Sequence, residues 1–113
     1  MILNILKIAA AIGTIATGAI SLIRPRSVRG FTGLNPDGPR GITEIRAVLG
    51  GFFIGLGAAT LILNVSAAYQ TLGIAYLVVA AVRIVSMLID GSIESSNIIS
   101  VVFEVVFGVI LVL

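Results

Sequence analysis

Four long apolar segments dominate this sequence and leave few folds open to it. Each segment carries almost no charge and is long enough, at about 1.5 Å per residue, to cross a hydrocarbon core of about 30 Å. We therefore predict an all-α fold, an integral membrane four-helix bundle that forms one transmembrane domain over residues 1–113. The predicted helices cover about residues 2–23, 43–64, 67–89 and 96–113, with short connections and one longer arginine-rich polar loop over 24–42.

The composition agrees with a membrane protein and excludes several classes of function. Hydrophobic residues make up 58% of the 113 residues and charged residues 11%, and the mean hydropathy is +1.21. Seven basic and five acidic side chains are too few to cover a soluble domain of this size. A net charge of +2, with no basic stripe between aromatic residues, argues against nucleic-acid binding. The chain has no Cys and no His, so we expect no disulfide, no metal site and no cofactor.

The long connection between the first two spans is rich in arginine. It contains Arg24, Arg26, Arg29 and Arg40 but one acid, Asp37, and the run Asn-Pro-Asp-Gly-Pro at 35–39 is a strong turn signal. Under the positive-inside rule such a loop is cytoplasmic. Both termini of a four-span protein then lie outside.

The second predicted span, Thr43 to Asn64, is the helix around which we expect the others to be arranged. Small residues recur along it in steps of four, which places them near one another on one helix face and is typical of close packing in membranes. A second line of small residues lies roughly 100° around the same helix, so neighbouring helices could pack closely on two of its faces. The predicted helix-packing residues are Ala47, Gly51, Gly55 and Ala59 on the first face, and Gly50 and Gly57 on the second.

Arg83 and Glu104 lie well inside the apolar segments, where charged residues usually face the protein and find partners. An ionised group near the bilayer centre costs at least about 2.5 to 3.5 kcal/mol. Measured from the arginine loop, the helical rise places Arg46 roughly 6 Å, Arg83 roughly 9 Å and Glu104 roughly 12 Å deep. With Glu44 and Asp90 nearer to that surface, two arginines and three carboxylates would share one layer.

Two interpretations of this layer stay open. It can act as an internal latch that fixes the helix register through charge-assisted hydrogen bonds. Alternatively, it lines a polar pocket in which the arginines hold an anionic or polar headgroup. Tyr76 shares a face of the third span with Arg83 and is either a core aromatic or a ligand contact. The candidate residues for ligand binding or a charge network are Glu44, Arg46, Tyr76, Arg83, Asp90 and Glu104.

Several of these residues resemble the pattern of a known family. Residues 43–47 (Thr-Glu-Ile-Arg-Ala) lead into Gly50-Gly51 and 55–57 (Gly-Leu-Gly), and Arg83, 90–91 (Asp-Gly) and an acid in the last span follow. This combination resembles an uncharacterised family of small bacterial four-helix membrane proteins, classed as a domain of unknown function and similar in architecture to DoxX-like proteins. The resemblance covers most of the chain, from Phe31 to the end.

The resemblance implies a fold and a location but no established activity. It implies four helices in a bacterial inner membrane and a site formed by Glu44, Arg46 and Arg83. Small multidrug-resistance transporters have a similar size and span number, but they carry a membrane glutamate in the first helix. This chain has only Lys7 there, which disfavours that class of transporter.

The sequence favours a non-catalytic role. We expect an accessory or structural subunit that is surrounded by membrane lipid and packs against itself or a larger membrane complex. The alternative is a small-molecule or lipid-binding carrier or channel that uses an Arg/Glu pocket within the membrane. No nucleophile elbow, phosphate loop or metal set accompanies the charges, so we do not expect an enzyme.

Overall fold

The computed structural model describes residues 1–113, and its regular secondary structure is all helical, with no strand. Four helices are long and apolar enough to cross a membrane, as in an integral membrane protein. The fifth helix is a single short turn between the first two long ones. The helices are α1 (Ile2–Ile23), α2 (Arg29–Thr32), α3 (Gly38–Leu63), α4 (Ser66–Asp90) and α5 (Ser95–Val112).

The connection between α1 and α3 is shorter and more ordered than the predicted polar loop over 24–42. A 3₁₀ turn, Pro25–Val28, follows α1 directly, and the fully buried Val28 holds this turn against the bundle. The helix α2 comes next and ends at Gly33, which has a φ of +74°. Within this connection, only Arg24 and residues 33–37 lack helical structure.

The third helix begins at Gly38, five residues before the predicted start at Thr43. Asp37 is its N-cap and Pro39 lies in the first turn. Proline is favoured there because its φ is already helical and its missing N–H has no partner in a first turn. The Pro-rich run that predicts a turn therefore marks the start of α3, and the prediction of the boundary was wrong.

The middle of α3 departs from regular α-helix geometry. Residues Ile45–Phe52 form a π-helical segment between the α-helical parts Gly38–Glu44 and Phe53–Leu63. Such widened turns are rare in proteins and are frequent at functional sites. Nothing in the local sequence predicts this one.

The four long helices pack mainly as two antiparallel pairs, α1 with α3 and α4 with α5. Each pair approaches closely at glycines. A Cβ atom at Gly18 would lie 2.7 Å from the carbonyl oxygen of Gly50, and one at Gly73 would lie 3.0 Å from that of Gly108. Small residues let membrane helices come this close, so that dispersion contacts between backbones hold each pair together.

Fewer contacts join the two pairs, α1 with α5 and α3 with α4. Because successive long helices run in opposite directions, the bundle has two ends. We call the one with the α1–α3 and α4–α5 connections the arginine end, and the one with Met1, Asn64, Val65 and Leu113 the opposite end. The buried core lies toward the opposite end, where Ala10, Tyr69, Leu72 and Leu111 are in contact.

Candidate functional site

The main polar cluster between the helices is an ion pair that joins α4 to α5. Nη2 of Arg83 lies 2.6 Å from Oε1 of Glu104, and Nε of Arg83 donates to both carboxylate oxygens at 2.9 and 3.0 Å. The two side chains are 31% and 10% exposed. Charge-assisted bonds of this bidentate kind fix geometry as well as adding energy, and here they join α4 to α5.

Asn97 extends this cluster toward the arginine end. Its Oδ1 atom accepts a hydrogen bond of 3.0 Å from Nη1 of Arg83, and its Nδ2 atom donates to the carbonyl of Ser92 at 2.8 Å. The α4–α5 connection is thereby tied to the ion pair. Sequence reasoning did not include Asn97 among the site residues, although it precedes Glu104 by seven residues and so lies on the same face of the last helix.

A groove of about 450 Å³ opens beside the cluster. Arg83, Ser86 and Asp90 of α4 line it together with Ser92 and Asn97, and three valines and Met87 form its apolar part. A guanidinium group has five N–H donors. Glu104 and Asn97 use three of those of Arg83, which leaves two for a further acceptor. Asp90 lies at the arginine end of the groove and forms no ion pair.

Tyr76 lies deeper in the bundle and does not line this groove. Its hydroxyl shares a hydrogen bond of 2.5 Å with Oγ1 of Thr14, and its ring packs edge to face on Phe107 at a centroid distance of 5.6 Å. The contact with Thr14 joins α4 to α1 across the bundle. The geometry of Tyr76 is that of a core aromatic with a satisfied hydroxyl.

Glu44 and Arg46, the other two residues assigned to the predicted layer, lie away from this cluster. Glu44 pairs with Arg40 on the surface, where the side chains are 55% and 79% exposed, and such pairs stabilise little. Nε of Arg46 donates to the carbonyl of Leu22 at 3.2 Å. That carbonyl belongs to the last turn of α1, where a cation is favoured by the helix dipole.

The predicted layer is therefore split among separate places in the structure. Only Arg83 and Glu104 are joined, because they lie in one helix pair, whereas Arg46 lies in the other pair, at the α1–α3 contact. No group of three or more Asp and Glu side chains comes close enough together to hold a metal ion.

The predicted helix-packing residues of α3 divide between two environments. A Cβ atom at Gly57 would lie 2.6 Å from Cγ1 of Ile15, and one at Gly50 would lie 3.1 Å from Cβ of Leu22, so this face lies against α1. The other face is exposed, and a Cβ atom at Gly55 would meet nothing within 4 Å. We call it the small face of α3; its residues are Ala47, Gly51, Gly55 and Ala59.

Comparison with known proteins gives a family for the chain. The family described as "Domain of unknown function (DUF4345)" matches residues 2–113. Neither a curated protein nor a solved structure matches. The family match extends over nearly the whole chain, including all five helices, and it confirms the resemblance to a domain of unknown function. This small protein with four membrane-span-like helices therefore belongs to the DUF4345 family.

Proposed function

We propose that this protein is a non-catalytic structural or accessory subunit that associates with a second membrane helix through the small face of α3. The partner is a second copy of the chain or a larger membrane complex. The observation that carries the proposal is that the small face is exposed, whereas the other glycine face of the same helix lies against α1.

The energetics of glycine support this use of the face. Glycine in a helix interior is about 0.8 to 1.0 kcal/mol less favourable than alanine. At Gly57 the close contact with α1 offsets that cost, but Gly55 has no neighbour within the chain. In lipid, where apolar burial gives no driving force between helices, a small face brings backbones together. A helix from outside the chain would supply the contact that Gly55 lacks.

Substitution on the small face tests this proposal. Gly51→Leu and Gly55→Leu should leave the bundle folded, because both positions are exposed, and should reduce association by at least about tenfold. Ala81→Leu, at an exposed small residue of α4, is the matched control. Single-molecule photobleaching in native lipid counts copies of the chain, and mass spectrometry of the purified protein identifies larger partners. Equal association of all three variants and the wild type would refute the proposal.

The groove beside Arg83 supports a second candidate function, the binding of an amphiphilic small molecule or lipid. The two uncommitted N–H groups of Arg83 could bind a polar head, while Val78, Val79 and Val82 offer an apolar surface to its tail. Ser86→Val and Asp90→Asn change the groove without touching the ion pair. If the groove is a binding site, native mass spectrometry should show a small molecule on the wild type that both variants lose.

We also propose which membrane holds the protein and how the protein is oriented in it. We place the protein in a bacterial inner membrane, with a DoxX-like arrangement, the arginine end in the cytoplasm and the opposite end outside. The support for this orientation is the excess of arginine in the connection between α1 and α3, since short loops rich in Lys and Arg stay on the cytoplasmic side.

A further inference from the structure

A second polar cavity lies at the opposite end of the bundle, where α1 begins and α3 turns into α4. Its volume is about 360 Å³, within the range of small-molecule sites. The polar side chains that line it are those of Asn4, Lys7, Asn64, Ser66 and Tyr69. It shares no residue with the groove at Arg83 or with the small face of α3.

The cation of this cavity has no carboxylate partner. The two ion pairs of the structure are Arg40–Glu44 and Arg83–Glu104, so the half-buried Lys7 is unpaired. Four of the five acidic side chains, at positions 37, 44, 90 and 94, lie toward the arginine end, and the fifth is held by Arg83. A half-buried ammonium group in such surroundings favours an anion from outside the chain.

The neutral groups of the cavity add further donors. Oδ1 of Asn64 accepts a hydrogen bond of 3.0 Å from the hydroxyl of Tyr69, which orients the amide and leaves Nδ2 free to donate. Asn4 and Ser66 contribute an amide and a hydroxyl. Beside them α4 begins, and its N-cap Val65 has no side-chain acceptor for the first backbone N–H groups. A cation and several donors, with no carboxylate, match a ligand made of acceptor oxygens.

We propose that this cavity binds a phosphate group, carried by an anionic phospholipid or by a small soluble phosphate ester, through Lys7, Asn4 and Asn64. Phosphate presents several acceptor oxygens and a negative charge to this set of donors. The apolar residues Ile8 and Val65 line the cavity beside the polar groups, and they are 42% and 53% exposed. They provide a surface for acyl chains, which a phospholipid has and a soluble ester lacks.

Native mass spectrometry of the 113-residue chain in detergent tests the site with two probes, phosphatidylglycerol and glycerol 3-phosphate. Wild type and Lys7→Arg should each retain one phosphate-bearing molecule. Lys7→Met removes the cation. Asn64→Asp keeps the acceptor for Tyr69 but adds a negative charge that pairs with Lys7 and repels phosphate. Both variants should lower the affinity at least about tenfold. Arg26→Met, which removes an exposed cation at the other end, is the matched control and should bind as wild type does.

The two probes separate the sources of the phosphate. Binding of phosphatidylglycerol that glycerol 3-phosphate does not displace supports a lipid ligand, and displacement supports a soluble ester. Circular dichroism and thermal melting of each variant verify that the fold is intact. The proposal is overturned if folded Lys7→Met and Asn64→Asp retain the lipid as the control does, or if wild type binds neither probe. Neither result would bear on the small face of α3, which contributes nothing to this cavity.

Discussion

The ion pair of Arg83 and Glu104 joins α4 to α5 through hydrogen bonds to both carboxylate oxygens, and its removal should be costly in a specific way. Arg83→Met or Glu104→Leu leaves the other charge unpaired inside the bundle. The loss should lie at the lower end of the about 3–5 kcal/mol found for broken buried pairs, because Arg83 is 31% exposed. The double variant leaves neither charge, so its free energy of unfolding should be closer to wild type than that of either single variant. Reversible unfolding in lipid–detergent micelles measures all three.

A neighbouring carboxylate supplies the control for this cycle. Asp90 is exposed and makes no ion pair, so Asp90→Asn should change the free energy of unfolding by no more than about 0.5 kcal/mol. If the effects of Arg83→Met and Glu104→Leu simply add in the double variant, the two side chains do not act as a pair and the latch interpretation fails.

Residue-level prediction gave each charge a depth along its helix but not the neighbour that it faces. The helical rise placed Arg46, Arg83 and Glu104 at similar distances from the arginine end, and two of them are joined in the structure. Depth along a helix does not determine which neighbour a side chain faces. That depends on helix rotation and on which helices pair, and Arg46 faces the last turn of α1. Asn97 could have been assigned to the site from its seven-residue spacing to Glu104.

At the scale of the helix pair, α3 offers a matched test, because two of its glycines differ in their surroundings. Gly57→Ala should separate α1 from α3 and destabilise the bundle by about 1–3 kcal/mol, since its Cβ would lie 2.6 Å from Ile15 and 2.8 Å from the carbonyl of Ala11. Gly55→Ala adds a Cβ in open space and should be neutral or stabilise the helix by up to about 1 kcal/mol. Thermal melting of both variants in detergent provides the comparison. A Gly57→Ala variant as stable as Gly55→Ala would contradict the close approach of α1 to α3.

The boundaries of the elements were predictable only where the hydropathy changes sharply. The first helix ends where Arg24 and Pro25 interrupt an apolar run, and the structure has its end at Ile23. The start of α3 was missed because Pro39 is compatible with both a turn and a first helical turn, and the local sequence does not distinguish them. The short helix α2 and the π-helical segment have no hydropathy signal that would predict them.

At the scale of the whole molecule, the apolar exterior explains why the number of long helices was predictable and their pairing was not. Hydropathy identifies a segment that can cross lipid, and four such helices are present. Lipid and protein neighbours are almost equally apolar, so hydropathy does not tell which face of a helix meets protein. Both small faces of α3 were predicted to pack, yet only the one with Gly50 and Gly57 lies against α1. Steps of four residues identify a face that permits close approach, and the other helices decide whether that approach occurs within the chain.

The arrangement of four spans with two ends leads to a prediction for the intact membrane. The chain has no Cys, so single cysteines can be introduced at the exposed residues Ser27, Val65 and Ser95 without a competing thiol. Because α1 and α4 end where α3 and α5 begin, Ser27→Cys and Ser95→Cys should lie on one side of the membrane and Val65→Cys on the other. With the arginine end in the cytoplasm, a thiol reagent that does not cross the inner membrane should label only Val65→Cys in whole cells whose outer membrane is permeable to the reagent. In inverted vesicles it should label only Ser27→Cys and Ser95→Cys.

Reversed labelling of all three variants would overturn the proposed orientation. It would leave the bundle intact, since the fold is the same in both orientations. Labelling of Val65→Cys and Ser95→Cys from the same side would instead rule out α4 as a membrane-crossing helix, because these two positions flank it.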